Sequence, residues 1–120
     1  MKILLVDDSS TMRRIQKNTL STLGFTDVDE AEDGQDAVSK VGKTAYDLVL
    51  MDWNMPNMTG IDALKAIRAN PATAKVPVIM VTSESEKTRI LEAIQAGATN
   101  YIVKPFTPDV LKEKLDALHG

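Results

Sequence analysis

Two hydrophobic patterns alternate along the chain. Short, nearly unbroken apolar runs with β-branched residues occur at 3–6, 48–51, 76–81 and 101–103, with a weaker one at 28–31. The first three read as strands buried on both faces, where neither side-chain direction meets water. Pro77 falls near the start of its run, where a strand tolerates a residue without an N–H. Between the runs, apolar residues recur at helical spacing. Met12, Ile15 and Leu23 share a face with Thr19 and Leu20; Ala37, Val38 and Val41 form a second stripe; Ile61, Leu64 and Ile67 a third; Ile90, Leu91 and Ile94 a fourth; Leu111, Leu115 and Leu118 the last. Spacings of three and four put such residues on one side of a helix.

Start and stop signals fit these boundaries. Gly24 and Gly97 follow helical stretches, where a left-handed cap favours glycine. Thr107-Pro108-Asp109 opens a helix: Thr107 caps, Pro108 suits the first turn, and Asp109 meets the positive helix end. Ser83 and Glu86 have capping-box spacing. The pattern predicts an α/β fold, (βα)5, with parallel strands joined by right-handed crossovers and helices on both faces of the sheet.

Composition narrows the function classes. The chain has 120 residues, 43% hydrophobic and 26% charged, which suits one domain over 1–120 with one core. Fourteen Lys+Arg against 17 Asp+Glu leave a formal charge of −3, and the pI near 5.1 speaks against a nucleic-acid partner. No apolar run approaches the ~18 residues of a membrane helix, and the opening Met1-Lys2-Ile3-Leu4-Leu5-Val6-Asp7-Asp8 turns acidic too soon for a secretory signal. The expectation is a cytoplasmic protein with no membrane association, and a monomer. Cysteine is absent and His119 is the single histidine, so thiol chemistry, zinc–thiolate sites and histidine triads are excluded or disfavoured.

The chemistry collects where the strands end. Asp7 and Asp8 follow the first run, Asp52 the third strand, Thr82 the fourth and Lys104 the fifth. In an open parallel sheet these positions share the carboxyl edge, where ligands bind. Singly, each has an ordinary structural role as a turn residue, a cap or a solvated charge. Together they gather three carboxylates, a hydroxyl and an ammonium. Crowded carboxylates repel unless a cation sits among them, and all-oxygen ligands suit Mg²⁺, with Mn²⁺ as a substitute. Such a set can stabilise phosphoryl transfer, and one aspartate can itself be the nucleophile. Trp53 and the methionines near it read equally as loop packing or as an interaction surface. Tyr101 reads as half-buried core or as a movable surface aromatic.

Several segments together carry a family resemblance: Leu5-Val6-Asp7-Asp8-Ser9, Met51-Asp52-Trp53-Asn54-Met55-Pro56, Met58-Thr59-Gly60-Ile61, Val81-Thr82, Ala96-Gly97-Ala98, and Tyr101-Ile102-Val103-Lys104-Pro105-Phe106. In order and spacing, over essentially the whole chain, they resemble two-component response-regulator receiver domains, in particular the stand-alone chemotaxis regulators. The resemblance implies a flavodoxin-like doubly wound sheet of strand order 2-1-3-4-5. It implies Asp52 as the acceptor of a phosphoryl group from a histidine kinase, and Mg²⁺ held by Asp7, Asp8, Asp52 and the backbone carbonyl of Asn54. It implies phosphoryl contacts from Thr82 and Lys104, and a Lys104–Pro105 peptide that is typically cis. It further implies a switch in which Thr82 moves toward the phosphoryl group and Tyr101 turns inward. That would reshape a face made of 85–96, Tyr101, Val103 and 110–118. Asn54 and Glu84 occupy the positions that tune phosphoryl lifetime. The implied partners are the kinase, the flagellar motor switch and a phosphatase. Glu86 departs from the basic residue common on the motor-binding face of close chemotaxis relatives, and Thr59 stands at a position often acidic or Asn.

Other classes fit less well. A relay intermediate or phosphate sink would use the same residues. A Mg²⁺-dependent aspartyl-phosphate phosphohydrolase of the haloacid-dehalogenase type wants a second aspartate two positions after the first-strand nucleophile, where this chain has Ser9. A flavodoxin-like cofactor binder would need phosphate-binding loops, and an acidic rim has the wrong charge. A degenerate receiver would lack part of the Asp7, Asp8, Asp52, Thr82 and Lys104 set. Because the receiver pattern fills 2 to about 118, the expectation is a single receiver domain with no output domain, an enzyme only in assisting its own phosphorylation and dephosphorylation.

Overall fold

A computed structural model describes residues 1–82, 87–104 and 106–119. Among them, strands and helices alternate: β1 (Ile3–Val6), α1 (Ser10–Thr22), β2 (Val28–Ala31), α2 (Gly34–Lys43), β3 (Leu48–Asp52), α3 (Gly60–Ala69), β4 (Val78–Thr82), α4 (Lys87–Gln95), β5 (Asn100–Val103) and α5 (Pro108–His119). The sheet is parallel throughout, in the order β2-β1-β3-β4-β5. β1, β3 and β4 lie inside it, and every one of their residues is buried. β2 is an edge and carries Asp29 and Glu30, partly exposed charges that discourage pairing with another chain.

Alternation along the strands sorts the core into two layers. Leu4, Val6, Val49, Met51, Val78 and Met80 face α2, α3 and α4, meeting Ala37, Val41, Leu64, Ile67 and Ala93. Ile3, Leu5, Leu48, Leu50, Ile79, Val81 and Ile102 face α1 and α5, meeting Leu20, Leu111 and Leu115. Burying both sheet faces removes apolar side-chain surface from water, a gain of about 25 cal/mol per Å².

The starts of α1, α2, α3 and α5 are capped by side chains. Ser9 Oγ accepts from the Met12 N–H at 3.2 Å, Asp33 from Asp36 at 2.8 Å, Thr59 from Asp62 at 3.3 Å and Thr107 from Val110 at 3.3 Å. Gly24 and Gly97 have φ of 91° and 103°, the left-handed conformation expected at both helix ends.

Three local expectations change. β4 starts at Val78, not at Val76, because Pro77 offers no donor and the Val76 carbonyl is taken by Arg68 Nη1 at 2.7 Å. β3 and β4 include Asp52 and Thr82 as their last residues. Two apolar stripes are rotated. Ile15 is 51% exposed while Gln16 is buried, and in α4 Leu91 and Ile94 are exposed while Ala93 faces the core. The Ser83–Glu86 capping box, Glu84, and the Lys104–Pro105 peptide lie outside the described residues.

Candidate functional site

Register and alternation build the site. Val6 pairs with Met51, so the next residues, Asp7 and Asp52, are level on neighbouring strands. Asp52 shares the side-chain direction of Leu48 and Leu50, the α1–α5 side. Lys104 follows Ile102 by two and takes the same side, but β4 lies between β5 and β3. Its four-carbon stem spans the gap: Nζ is 2.9 Å from Asp7 Oδ2 and 3.2 Å from Asp52 Oδ1. Only a long cation could bridge carboxylates two and three strands away.

The carboxylates are held in place. Asp7 Oδ1 accepts from the Ser9 N–H at 2.9 Å, and the Asp7 carbonyl accepts from Arg13 Nη1 at 2.6 Å. Arg13 is fixed in turn by Glu30 at 2.9 Å. Asp52 Oδ1 accepts from the Trp53 N–H at 2.9 Å. Asp7 and Asp52 are buried whereas Asp8 is exposed, and the three offer oxygens that lie within 4.8 Å of one another. Burial pushes the Asp52 carboxyl above the ordinary aspartate value; Lys104 pulls it back, Asp7 adds to the rise, and the net direction is up. For Lys104, burial works against the ammonium, but the hydrogen bond to Asp7 and the charges of Asp52 and Asp7 prevail, and its pKa rises.

The donors fit a hard divalent cation. They are oxygens only, clustered at one solvent-facing edge, carrying more negative charge than Lys104 neutralises. Asn54 lies on the same rim, two residues beyond Asp52, with an exposed side chain.

Thr82 and Tyr101 stand on the opposite side of the sheet from Asp52. Trp53, Met80, Thr82, Arg89 and Tyr101 line a narrow cavity together with Ile90 and Ala93, with no void large enough for a water molecule. Trp53 is buried, and the Arg89 guanidinium sits 5.4 Å from its ring centre; Trp53 is thus core rather than surface. Tyr101 is half-buried under Lys114, whose Nζ is 4.5 Å from the ring. Asp7, Asp8, Asp52 and Lys104 therefore form one cluster, and Thr82 and Tyr101 line a second, adjoining space.

Sequence patterning missed several residues that position this site. Arg13 and Arg89 look like solvated helix charges until the fold supplies their partners. Gly60 was visible only as part of a motif; its N–H donates to the Trp53 carbonyl at 2.8 Å, and its Cα lies against Asp52.

The arrangement has known counterparts. A family match described as "Response regulator receiver domain" spans residues 3–116. The chain belongs to the response regulator receiver family. This receiver is 55% identical to chemotaxis protein CheY1 of Helicobacter pylori strain J99, over 100% of this chain and 98% of that protein. Its fold matches the chemotaxis response regulator CheY4 of Vibrio cholerae with a TM-score of 0.88, at 37% identity, over 98% of this chain and 97% of that one. It also matches the receiver domain of sensor histidine kinase PA1611 from Pseudomonas aeruginosa PAO1, a structure with a magnesium ion coordinated in its active-site cleft. There the TM-score is 0.87 and the identity 32%, over 97% of this chain and 94% of that one. Like its relatives, the receiver is a signalling domain of the chemotaxis-regulator type, and no helix among its described residues is long and apolar enough to cross a membrane.

Proposed function

We propose that this receiver is a phosphorylation-dependent switch in which Asp52 accepts a phosphoryl group from a phosphohistidine of a histidine kinase. One observation carries the reading: Lys104 reaches across β4 to bridge two buried carboxylates beside a third, an arrangement that suits a site where a cation and a phosphoryl group meet. An Asp52 oxygen attacks phosphorus as the P–N bond breaks, and the imidazole leaves with the bonding pair and takes a proton. Trp53 N–H and Lys104 hold Oδ1. Among the described residues both bonds to this carboxylate go to that oxygen, which leaves Oδ2 to react.

Asp7, Asp8, Asp52 and the Asn54 carbonyl would hold Mg²⁺, with Mn²⁺ a substitute, and the bound metal would supply positive charge beside the phosphoryl oxygens. Lys104 exchanges carboxylate contacts for the new phosphoryl oxygens, and the Thr82 hydroxyl moves over the strand edge toward them and donates. Tyr101 then turns toward the cavity, and the α4–β5–α5 face changes shape. The exposed Leu91 and Ile94 lie on that face's helix, which suits a protein partner. The 55% identity to a chemotaxis protein favours the flagellar motor switch, in the cytoplasm, with Asn54 and Glu84 setting how fast water or a phosphatase removes the phosphoryl group. The domain acts as a monomer through its own surface.

The test uses acetyl phosphate and Mg²⁺. Intact mass should rise by one phosphoryl group and Trp53 fluorescence should change, both lost in Asp52→Asn and without the metal. A mass gain that survives Asp52→Asn would overturn the assignment. Binding to a motor-switch peptide should tighten with beryllofluoride; equal binding in both states would remove that partner.

A further inference from the structure

The cavity beside Trp53 contains a charged group that the switch just proposed does not use. Arg89 rests its guanidinium on the Trp53 ring, yet its Nη1 is buried and has no hydrogen-bond partner among the described residues. A buried charged donor left without an acceptor is costly. Water does not relieve it, because the present conformation leaves no water-sized void there; in the proposed switch the space opens only when Thr82 moves away. An acceptor must come from a side chain that lines the space or from one that enters it.

Few side chains qualify. The Trp53 indole is a donor, the Met80 thioether is a weak acceptor, and Thr82 is buried and already engaged. Tyr101 remains. Its hydroxyl accepts well, it stands at the end of a long side chain, and it belongs to a half-buried residue lining the same cavity. Lys114 lies over the ring outside and competes for it through a cation–π contact.

We propose that Arg89 is a positioning residue of the switch, whose Nη1 donates to the Tyr101 hydroxyl when the ring turns inward. The ring moves between two cations. Lys114 holds it by its face in the present conformation, and Arg89 holds it by its oxygen in the other. Relief of the unpartnered donor favours the inward state, and the Trp53 ring beneath keeps the guanidinium aimed at the cavity. The inference rests on the switch reading above and adds a residue that this reading leaves unassigned.

A double-mutant cycle tests it. Beryllofluoride is titrated with Mg²⁺ into wild type, Arg89→Met, Tyr101→Phe and the double variant, with the midpoint of the Trp53 emission change as the readout. Arg89→Met keeps an unbranched stem and Tyr101→Phe keeps the ring, so both should fold. Loss of the hydrogen bond should raise the Arg89→Met midpoint about tenfold and leave it unchanged when Tyr101 is already Phe. Ring signals of labelled tyrosine, assigned with Tyr101→Phe among the two tyrosines, should show the inward population falling in Arg89→Met. Equal midpoint shifts in both backgrounds, or an unchanged inward population, would overturn the role of Arg89. If wild type itself gives no Mg²⁺-dependent response, the switch reading is what fails, and Arg89 fails with it.

Discussion

A methyl group added at Gly60 would lie 1.9 Å from the carbonyl oxygen of Asp52. The first turn of α3 is therefore seated directly on the end of β3, and no side chain fits between them. Backbone is the obstacle, so relief requires the helix to shift. Gly60→Ala should destabilise the fold by roughly 1–3 kcal/mol, measured as a lower urea midpoint. It should also displace Asp52 and slow its modification by acetyl phosphate. An alanine variant with wild-type midpoint and rate would refute this seating.

Asp52 itself weakens the fold at neutral pH. Its carboxyl is raised from 3.8, first by burial, so folding favours the protonated form. That contribution is complete below pH 3.8 and is lost as pH rises through the higher native value. Asp52→Asn, a neutral isostere, should therefore be more stable than wild type at pH 7. Its advantage should shrink toward zero on acidification below about pH 4. Thermal melts across pH 3–7 check both the sign and the window.

Lys104 has the opposite sign of effect. Lys104→Met leaves Asp7 and Asp52 side by side without their shared counter-ion. The metal-free variant should lose roughly 1–3 kcal/mol, and divalent cation should restore more stability to it than to wild type, since the ammonium no longer competes for the carboxylates. Calorimetric unfolding with and without Mg²⁺ reads the difference. Equal metal stabilisation of both proteins would argue against the competition.

Tyr46 gives a prediction far from the rim. Its hydroxyl donates to Asp29 Oδ2 at 2.7 Å; burial first, then Asp29, pushes its pKa from 10.0 up to about 12. The stability this represents is complete below pH 10.0 and is lost as pH rises toward 12. Tyr46→Phe should cost about 1 kcal/mol at pH 7 and flatten the alkaline loss. Absorbance titration of phenolate should lose its latest step.

Much of this was legible in the chain. The runs at β1, β3 and β4 are unbroken because both faces of those strands are covered, so their position and the shared edge followed from the residues alone. The gathering of Asp7, Asp8, Asp52 and Lys104 followed from that edge. The α4 stripe was misread because periodicity weighs Leu91 and Ile94 above Ala93, while the fold buries the small residue to bring the helix close to the sheet. Gln16 replaces Ile15 for a related reason: position on the face, not polarity, decided which was covered. Arg13, Arg89 and Lys114 carry no local signal, since their partners are Asp7 and Glu30, the Trp53 ring and the Tyr101 ring.

Asp52 and Trp53 are consecutive, yet strand alternation turns them to opposite faces of the sheet. The sheet is in this sense a partition one residue thick. On one side stands the carboxylate cluster, which opens to solvent at Asp8; on the other stands a dry space that ends in exposed helix surface. A charge placed on Asp52 never has to enter the dry compartment to be felt there, because a single peptide unit joins the two. The wet side can be held to the demands of its carboxylate and ammonium cluster while the dry side and its outer helix are free to vary.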